Sequence, residues 1–229
     1  MRILVIKGSD GEGVLALIER GDDGVLAVVR QAGQSGQAMG ERRAERMAGV
    51  LDDLLLVQGW EIGSLGLIAA VTGPGSFTGL RATLALAQGI ALGTGAALQG
   101  VAANAALRRC AGDGPDLAPL WCVGMARRDR VFLERDAAQG PEAFMMDVLP
   151  LPDRPIRLAG DASLAVAARI RSAGGVAVPS GVERPDVWTI AAVALDQHEG
   201  RLPSRVALPL YVDPPEAKRP AAGLRPSPL

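Results

Sequence analysis

Apolar residues in this chain follow two rhythms. Short, nearly unbroken runs at residues 3–6, 65–71 and 156–159 predict strands covered on both faces. Residues 14–19 and 25–29, set between Gly-Asp turns at 9–13 and 21–24, predict hairpin partners for the first run. A helical period runs through residues 41–58 and again through 78–92, followed by a strand at 97–101 and a short helix at 104–110. The second half repeats this order more faintly. It has a hairpin at 120–125 and 130–135, a weaker strand at 143–149, the buried strand at 156–159, a helix at 161–172, a strand at 176–178 and a helix at 187–197. Two copies of three strands, helix, strand, helix predict a duplicated α/β protein with mixed sheets. The boundaries fall at 1–103 and 104–212, and Pro214, Pro215, Pro220, Pro226 and Pro228 mark 213–229 as a proline-rich arm in which sheet and helix are both disfavoured.

The first two helices carry more apolar surface than one core needs. At 100° per residue, Ala44, Ala48, Leu51 and Leu55 form one stripe of the first helix, with Met47, Val50, Leu54 and Val57 beside it. Together they span about half the circumference, wider than the arc of roughly 100° typical of a helix lying on a single core. In the second helix Ala85, Gly89 and Gly93 recur every fourth position and predict a smooth groove that another helix can approach closely. The competing reading places both helices entirely inside this chain.

Between the strand at 65–71 and the second helix lies Val71-Thr72-Gly73-Pro74-Gly75-Ser76-Phe77-Thr78-Gly79-Leu80-Arg81. Ser76 or Thr78 is placed to cap the helix. A nucleotide P-loop needs a Lys directly after its second glycine, and Gly79 is followed by Leu80. A dinucleotide fingerprint needs its third glycine one place earlier and an acid about twenty residues on. No Asp or Glu lies between Glu61 and Asp113. A glycine-rich turn that packs a helix tightly on a sheet is the plain alternative.

Composition narrows the field further. Hydrophobic residues make up 48% of the 229 positions and aromatics only 3%, so the core is built from Ala, Val, Leu and Ile. With 24 basic and 25 acidic side chains there is no global field to draw in a polyanion. Cys110 and Cys122 lack a second thiol or a His at metal-ligand spacing, so no metal site is expected and both read as reduced thiols of a cytoplasmic chain. The single histidine, His198, reads as a solvated helix-end residue. The opening residues carry no signal-peptide pattern, and the apolar stretch 80–98 is broken by Arg81, Gln88 and glycines, so no membrane span is expected.

With these landmarks the chain resembles the bacterial TsaB (YeaZ) family, the non-catalytic partner in the complex that makes threonylcarbamoyladenosine in tRNA. The resemblance rests on the opening strand at 3–6, on Gly73 to Arg81, on Ala126-Arg127-Arg128-Asp129-Arg130-Val131-Phe132, and on Ala207-Leu208-Pro209-Leu210-Tyr211-Val212. It implies an actin-like, ribonuclease-H-like duplicated fold. It also implies that the first two helices pair with the matching helices of the catalytic TsaD subunit, or with a second copy of this chain. TsaE joins the wider complex, and tRNA is met only through that complex.

Two departures bear on chemistry. Relatives place Asp-Thr after the first strand, where this chain has Lys7-Gly8-Ser9, and an ammonium cannot coordinate magnesium as a carboxylate does. Catalytic paralogues carry a two-histidine metal site in the stretch that matches residues 100–107, which here contains no His. Asp113 and Asp161 read as turn or cap residues. The expected role is therefore a scaffold with no catalytic, cofactor or metal site of its own. Met47, Val50, Leu54, Ala85 and Gly89 are its candidate interface residues, with Met47 and Val50 foremost. The alternative is an active actin-fold phosphotransferase or peptidase using ATP and Ser9, Ser76 or Thr78. Direct tRNA binding through Arg127, Arg128 and Arg130 is a third reading, set against a solvated hairpin edge.

Overall fold

The computed structural model describes residues 1–8, 13–33, 43–112, 114, 116–127 and 129–212, with side chains in the first helix from position 46 onward. Strands β1 (Arg2–Lys7), β2 (Val14–Arg20), β3 (Leu26–Ala32), β4 (Leu67–Gly73) and β5 (Ala97–Ala102) form one sheet in the order β3-β2-β1-β4-β5. β1 is central because its run Ile3 to Ile6 is fully buried on both faces, with β2 antiparallel on one side and β4 parallel on the other. A parallel neighbour needs a crossover, and helix α1 (Arg43–Gln58) supplies the one between β3 and β4. Helix α2 (Phe77–Thr94) then joins β4 to the parallel β5, and Gly95 closes it in the left-handed conformation, its N–H on the Ala91 carbonyl. The fourth strand begins two residues later than its apolar run because Ile62–Ser64 form a 3-10 turn and pairing with β1 starts at Ile3 and Leu67.

After helix α3 (Ala103–Ala111), the second sheet repeats the first. Strands β6 (Leu120–Met125), β7 (Arg130–Glu134), β8 (Glu142–Met145), β9 (Ile156–Ala159) and β10 (Ala177–Pro179) are ordered β10-β9-β6-β7-β8, the same path in new strands. Helix α4 (Ser163–Ser172) follows β9 as α2 follows β4, and helix α5 (Val187–His198) follows β10 as α3 follows β5. Gly160 leaves β9 with φ +120°, as Gly73 leaves β4 with φ +110°. One element has no counterpart. Where α1 stands in the first half, the second has a 3-10 turn at Met146–Val148, and Pro150, Pro152 and Pro155 bar a helix beyond it. The same turn ends β8 at Met145 instead of 149, and one pair beyond that end the Met146 N–H still bonds the Asp129 carbonyl in the β7–β8 register.

The halves interlock. One face of the first sheet packs on α1 and α2, through Leu4, Ile6, Leu15, Leu17, Ile68 and Ala70. Its other face is covered by α5, whose Val187, Ile190, Ala191 and Ala194 join Ile3, Val5, Ala69 and Val71 in one core. Helix α3 reaches the other way and seats Leu107 against Leu120, Cys122 and Ala159 of the second sheet. The expected boundary at 103 falls at the start of α3, whereas the repeated order ends after it at Ala111, and each repeat lends its last helix to the other. The tail from 213 lies outside the described residues.

An ion network fastens the far end of α5. Asp196 bridges Arg109 of α3 and Arg201, and Glu199 bridges Arg20 of β2 and Arg201. Burial pushes the Asp196 carboxyl up, but the hydrogen bonds and charges of Arg109 and Arg201 outweigh it and hold it below the usual carboxylate range. The hydrogen bond from Arg20 chiefly lowers Glu199, against some desolvation and with help from Arg201. A lowered folded-state value makes the contribution complete above the unfolded carboxylate value of about 4, and it disappears as pH falls through the folded values. Asp196→Asn is expected to lower Tm at pH 7 by about 2–4 °C, the shift that roughly 1 kcal/mol produces in a chain of this size. That difference should vanish by about pH 3, where both proteins carry a neutral group, and thermal melts across this range check it.

Candidate functional site

The loop after β4 is held by close backbone packing. The Gly73–Pro74 bond is cis, and α2 starts at Phe77 with Ser76 in the N-cap position. The Ser76 side chain makes no cap bond, which corrects the expected role of its hydroxyl. The helix N-terminus instead rests on the end of β1: a Cβ at Gly79 would stand 2.4 Å from the Gly8 carbonyl oxygen, so only glycine fits. Thr83 presses on Gly8 from one turn further along, and Lys7 is buried beside it. Phe77 and Thr78 are exposed, as is Arg81, whose guanidinium lies 3.8 Å from the Phe77 ring centroid. Ser9, the first residue named for the phosphotransferase alternative, lies outside the described residues.

Helices α1 and α2 cover the sheet side by side and divide their apolar residues between an inner and an outer face. Met47 and Leu54, at 4% and 6% exposure, lie in the chain's own core with Leu51 and Leu55, and Val50 packs against it. This corrects the expectation for the first helix: the side chains of Met47 and Leu54 are already used. The free apolar surface belongs to Leu56 (80% exposed) and Val57 (64%) on α1 and to Leu92 (90%) on α2. On a helical wheel Leu56 falls about 180° from Met47, a signal available in the sequence but hidden by the breadth of the apolar arc.

Ala85, Gly89 and Gly93 lie on the exposed side of α2. A Cβ at Gly49, Gly89 or Gly93 would meet nothing within 4 Å. Packing within this chain therefore gives no reason for glycine at these places, although each costs about 1 kcal/mol of helix propensity relative to Ala. The outer surface pairs bare backbone with isolated large apolar side chains, the relief against which a facing helix seats.

The stretch at 100–107 forms the end of β5 and the start of α3. Asn104 donates from Nδ2 to Glu134 Oε2 at 2.9 Å, and Arg108 donates from Nε to Glu134 Oε1 at 3.0 Å and from Nη1 to the Leu120 carbonyl. This buried latch ties α3 to β7, and removing either charge would strand the other away from water. Asp161 accepts the Met125 N–H at 2.7 Å and so ties the loop after β9 to the end of β6, a bond between elements and not the expected local turn or cap, while Asp113 lies outside the described residues. His198 is exposed at the end of α5. Cys110 and Cys122 are free thiols in different elements, one half-buried in α3 and one buried in β6. Among the described residues no three His, Cys, Asp or Glu side chains cluster as a metal site, and no helix is long and apolar enough to cross a membrane. Arg127 is exposed and Arg130 opens β7, and Arg128 lies outside the described residues.

Two sheets of identical strand order, each fed by crossover helices, define a duplicated α/β protein of actin-like fold. Residues 37–139 match the family model described as TsaD: tRNA N6-adenosine threonylcarbamoyltransferase, a span that runs from α1 through β7. The fold matches the crystal structure of an uncharacterized protein with similarity to peptidase YeaZ from Pseudomonas aeruginosa, at 20% identity and TM-score 0.68, covering 93% of this chain and 99% of that one. It also matches YeaZ from Pseudomonas aeruginosa at 20% identity and TM-score 0.67, covering 92% of this chain and all of that one. No curated protein matches the sequence. The sequence match ties residues 37–139 to the TsaD family model, and the two YeaZ-type structures show that the whole chain shares their fold.

Proposed function

We propose that this chain is a non-catalytic subunit that binds a TsaD-type threonylcarbamoyltransferase through the outer faces of α1 and α2 and supports its modification of adenosine in tRNA. One observation carries the reading: Leu56, Val57 and Leu92 stand exposed around Gly49, Gly89 and Gly93, whose bare backbone nothing in this chain requires. A facing pair of helices of similar relief would bury the leucines and approach the glycines. An ordinary interface would hide about 800 Å² on each partner. The loop chemistry agrees, since Gly79 seats α2 directly on the end of β1 at Gly8, and Asn104 and Glu134 are engaged in a structural latch.

Sedimentation velocity of this chain mixed with the TsaD-type enzyme from the same cell tests the reading. A heavier species with both chains is expected at micromolar concentration, together with a concentration-dependent homodimer when the enzyme is left out. Independent sedimentation of the two proteins would overturn it. So would turnover of ATP with magnesium by this chain alone, which would favour the phosphotransferase.

A further inference from the structure

The last described segment of the chain, residues 205–212, does not continue either sheet. It runs as a strap along the edge of the first sheet and the flank of α2. The Gly100 N–H donates to the Arg205 carbonyl and the Leu210 N–H to the Thr72 carbonyl, both at 2.8 Å. A Cβ at Gly100 would stand 2.5 Å from the Val206 carbonyl oxygen, so glycine lets the strap lie flat on β5. Gln88 of α2 donates from Nε2 to the Ala207 carbonyl at 2.8 Å. The end of the strap is tied by side chains: Arg81 donates from Nε to Tyr211 Oη at 2.8 Å, and the Tyr211 ring stacks on Phe77 with centroids 5.3 Å apart. Two stretches more than a hundred residues apart in sequence thus meet in one lock.

The position of the lock matters. On a 100° wheel Phe77, Gln88 and Arg81 fall within about 40° of one another, and Leu92, Ala85 and Gly89 follow in the next 80° or so. The strap therefore borders the exposed face of α2, and it carries Val206 and Leu208, both more than half exposed, along that border. We propose that the strap is a side wall of the partner-binding face and that Tyr211, acting through Arg81 and Phe77, is the positioning residue that holds the wall against α2. The proposal rests on the scaffold reading and adds to it a second segment of the chain. A helix of the TsaD-type subunit laid along Ala85 and Gly89 then meets Leu208 at its side as well as α2 beneath it. The lock joins the wall to the first turn of α2, so loosening it moves both.

The experiment compares wild type, Tyr211→Phe and Tyr211→Ala as full-length chains. It measures calorimetric affinity for the TsaD-type subunit, Tm, and amide exchange over residues 77–94 of the chain alone. The lock is made within the chain, so Tyr211→Ala is expected to lower Tm by a few degrees and Tyr211→Phe by less, both remaining folded. Tyr211→Ala is expected to weaken binding about tenfold, the size of one lost hydrogen bond to a charged group plus a ring contact, and to speed exchange in the first turn of α2. Tyr211→Phe, which keeps the ring, should fall between. Equal affinities for wild type and both variants would overturn this inference while leaving the scaffold reading intact. A lowered Tm with unchanged affinity would do the same, by assigning the lock to stability alone. Failure of the wild type to bind would overturn both.

Discussion

Leu92→Glu is expected to leave a folded protein of unchanged Tm that no longer binds the TsaD-type subunit. Leu92 is 90% exposed near the end of α2, so the isolated chain gains nothing from its side chain, and a surface substitution of this kind stays within about 0.5 kcal/mol. In the proposed complex the same position lies beside Gly89 and Gly93, where a facing helix comes closest. A carboxylate buried there without a partner costs about 2–5 kcal/mol, which weakens binding between roughly 30-fold and several thousand-fold. Circular dichroism and a thermal melt establish the fold, and titration calorimetry reads the affinity. Leu56→Glu on the outer face of α1 should behave alike. A contact made only at the rim would instead lose less than about tenfold.

Met47→Glu is expected to fail at the earlier step of folding. Met47 packs in one cluster with Leu4, Ile6, Leu15, Leu17, Leu51 and Leu54, beneath α1 and against the sheet. Removing a buried Met side chain costs about 2–5 kcal/mol before the charge is considered, and a carboxylate in that setting adds its desolvation. The sum rivals the whole stability of an ordinary domain, about 5–15 kcal/mol. A urea titration followed by circular dichroism should show a midpoint collapsed toward zero denaturant, with binding lost only because the fold is lost. The pair of substitutions therefore separates the inner from the outer side of the same two helices.

That contrast also shows how far the residues alone carry the reading. The broad apolar arc of α1 signals surface beyond one core, yet of its large side chains only Val57 is exposed, while Met47, Leu51, Leu54 and Leu55 are buried and Val50 packs against them. The free side chains are Val57 at one edge of that arc and Leu56 on the face opposite Met47, a position the breadth of the arc does not point to. Position on the sheet decides which side chains are covered, and that is a tertiary fact. The buried strands were legible because Ile3 to Ile6 and Leu67 to Val71 lack the polar alternation of a half-exposed strand. The missing helix of the second half departs from the expected repeat, and the prolines after Val148 give the physical reason. The exchange of α3 and α5 between the halves was not legible, since an apolar helix does not announce which sheet it will cover.

The strap was hidden for a different reason. Gly73 to Arg81 and Ala207 to Val212 each stand out in the sequence, but nothing local says that Arg81 will meet Tyr211. Likewise Asn104 and Glu134 are ordinary polar residues until the fold sets them 2.9 Å apart in a buried latch. Side-chain pairs that cross between elements carry no periodic signature, and they are what join the motif loop, the strap and the two halves into one unit.

The most direct measurement is threonylcarbamoyl transfer to tRNA by the TsaD-type enzyme with its other partners present, supplemented with this chain or with its Leu92→Glu variant. The account predicts that the wild type supports transfer and that the equally stable variant does not. Transfer by this chain without the enzyme, or equal support from both versions, would contradict it.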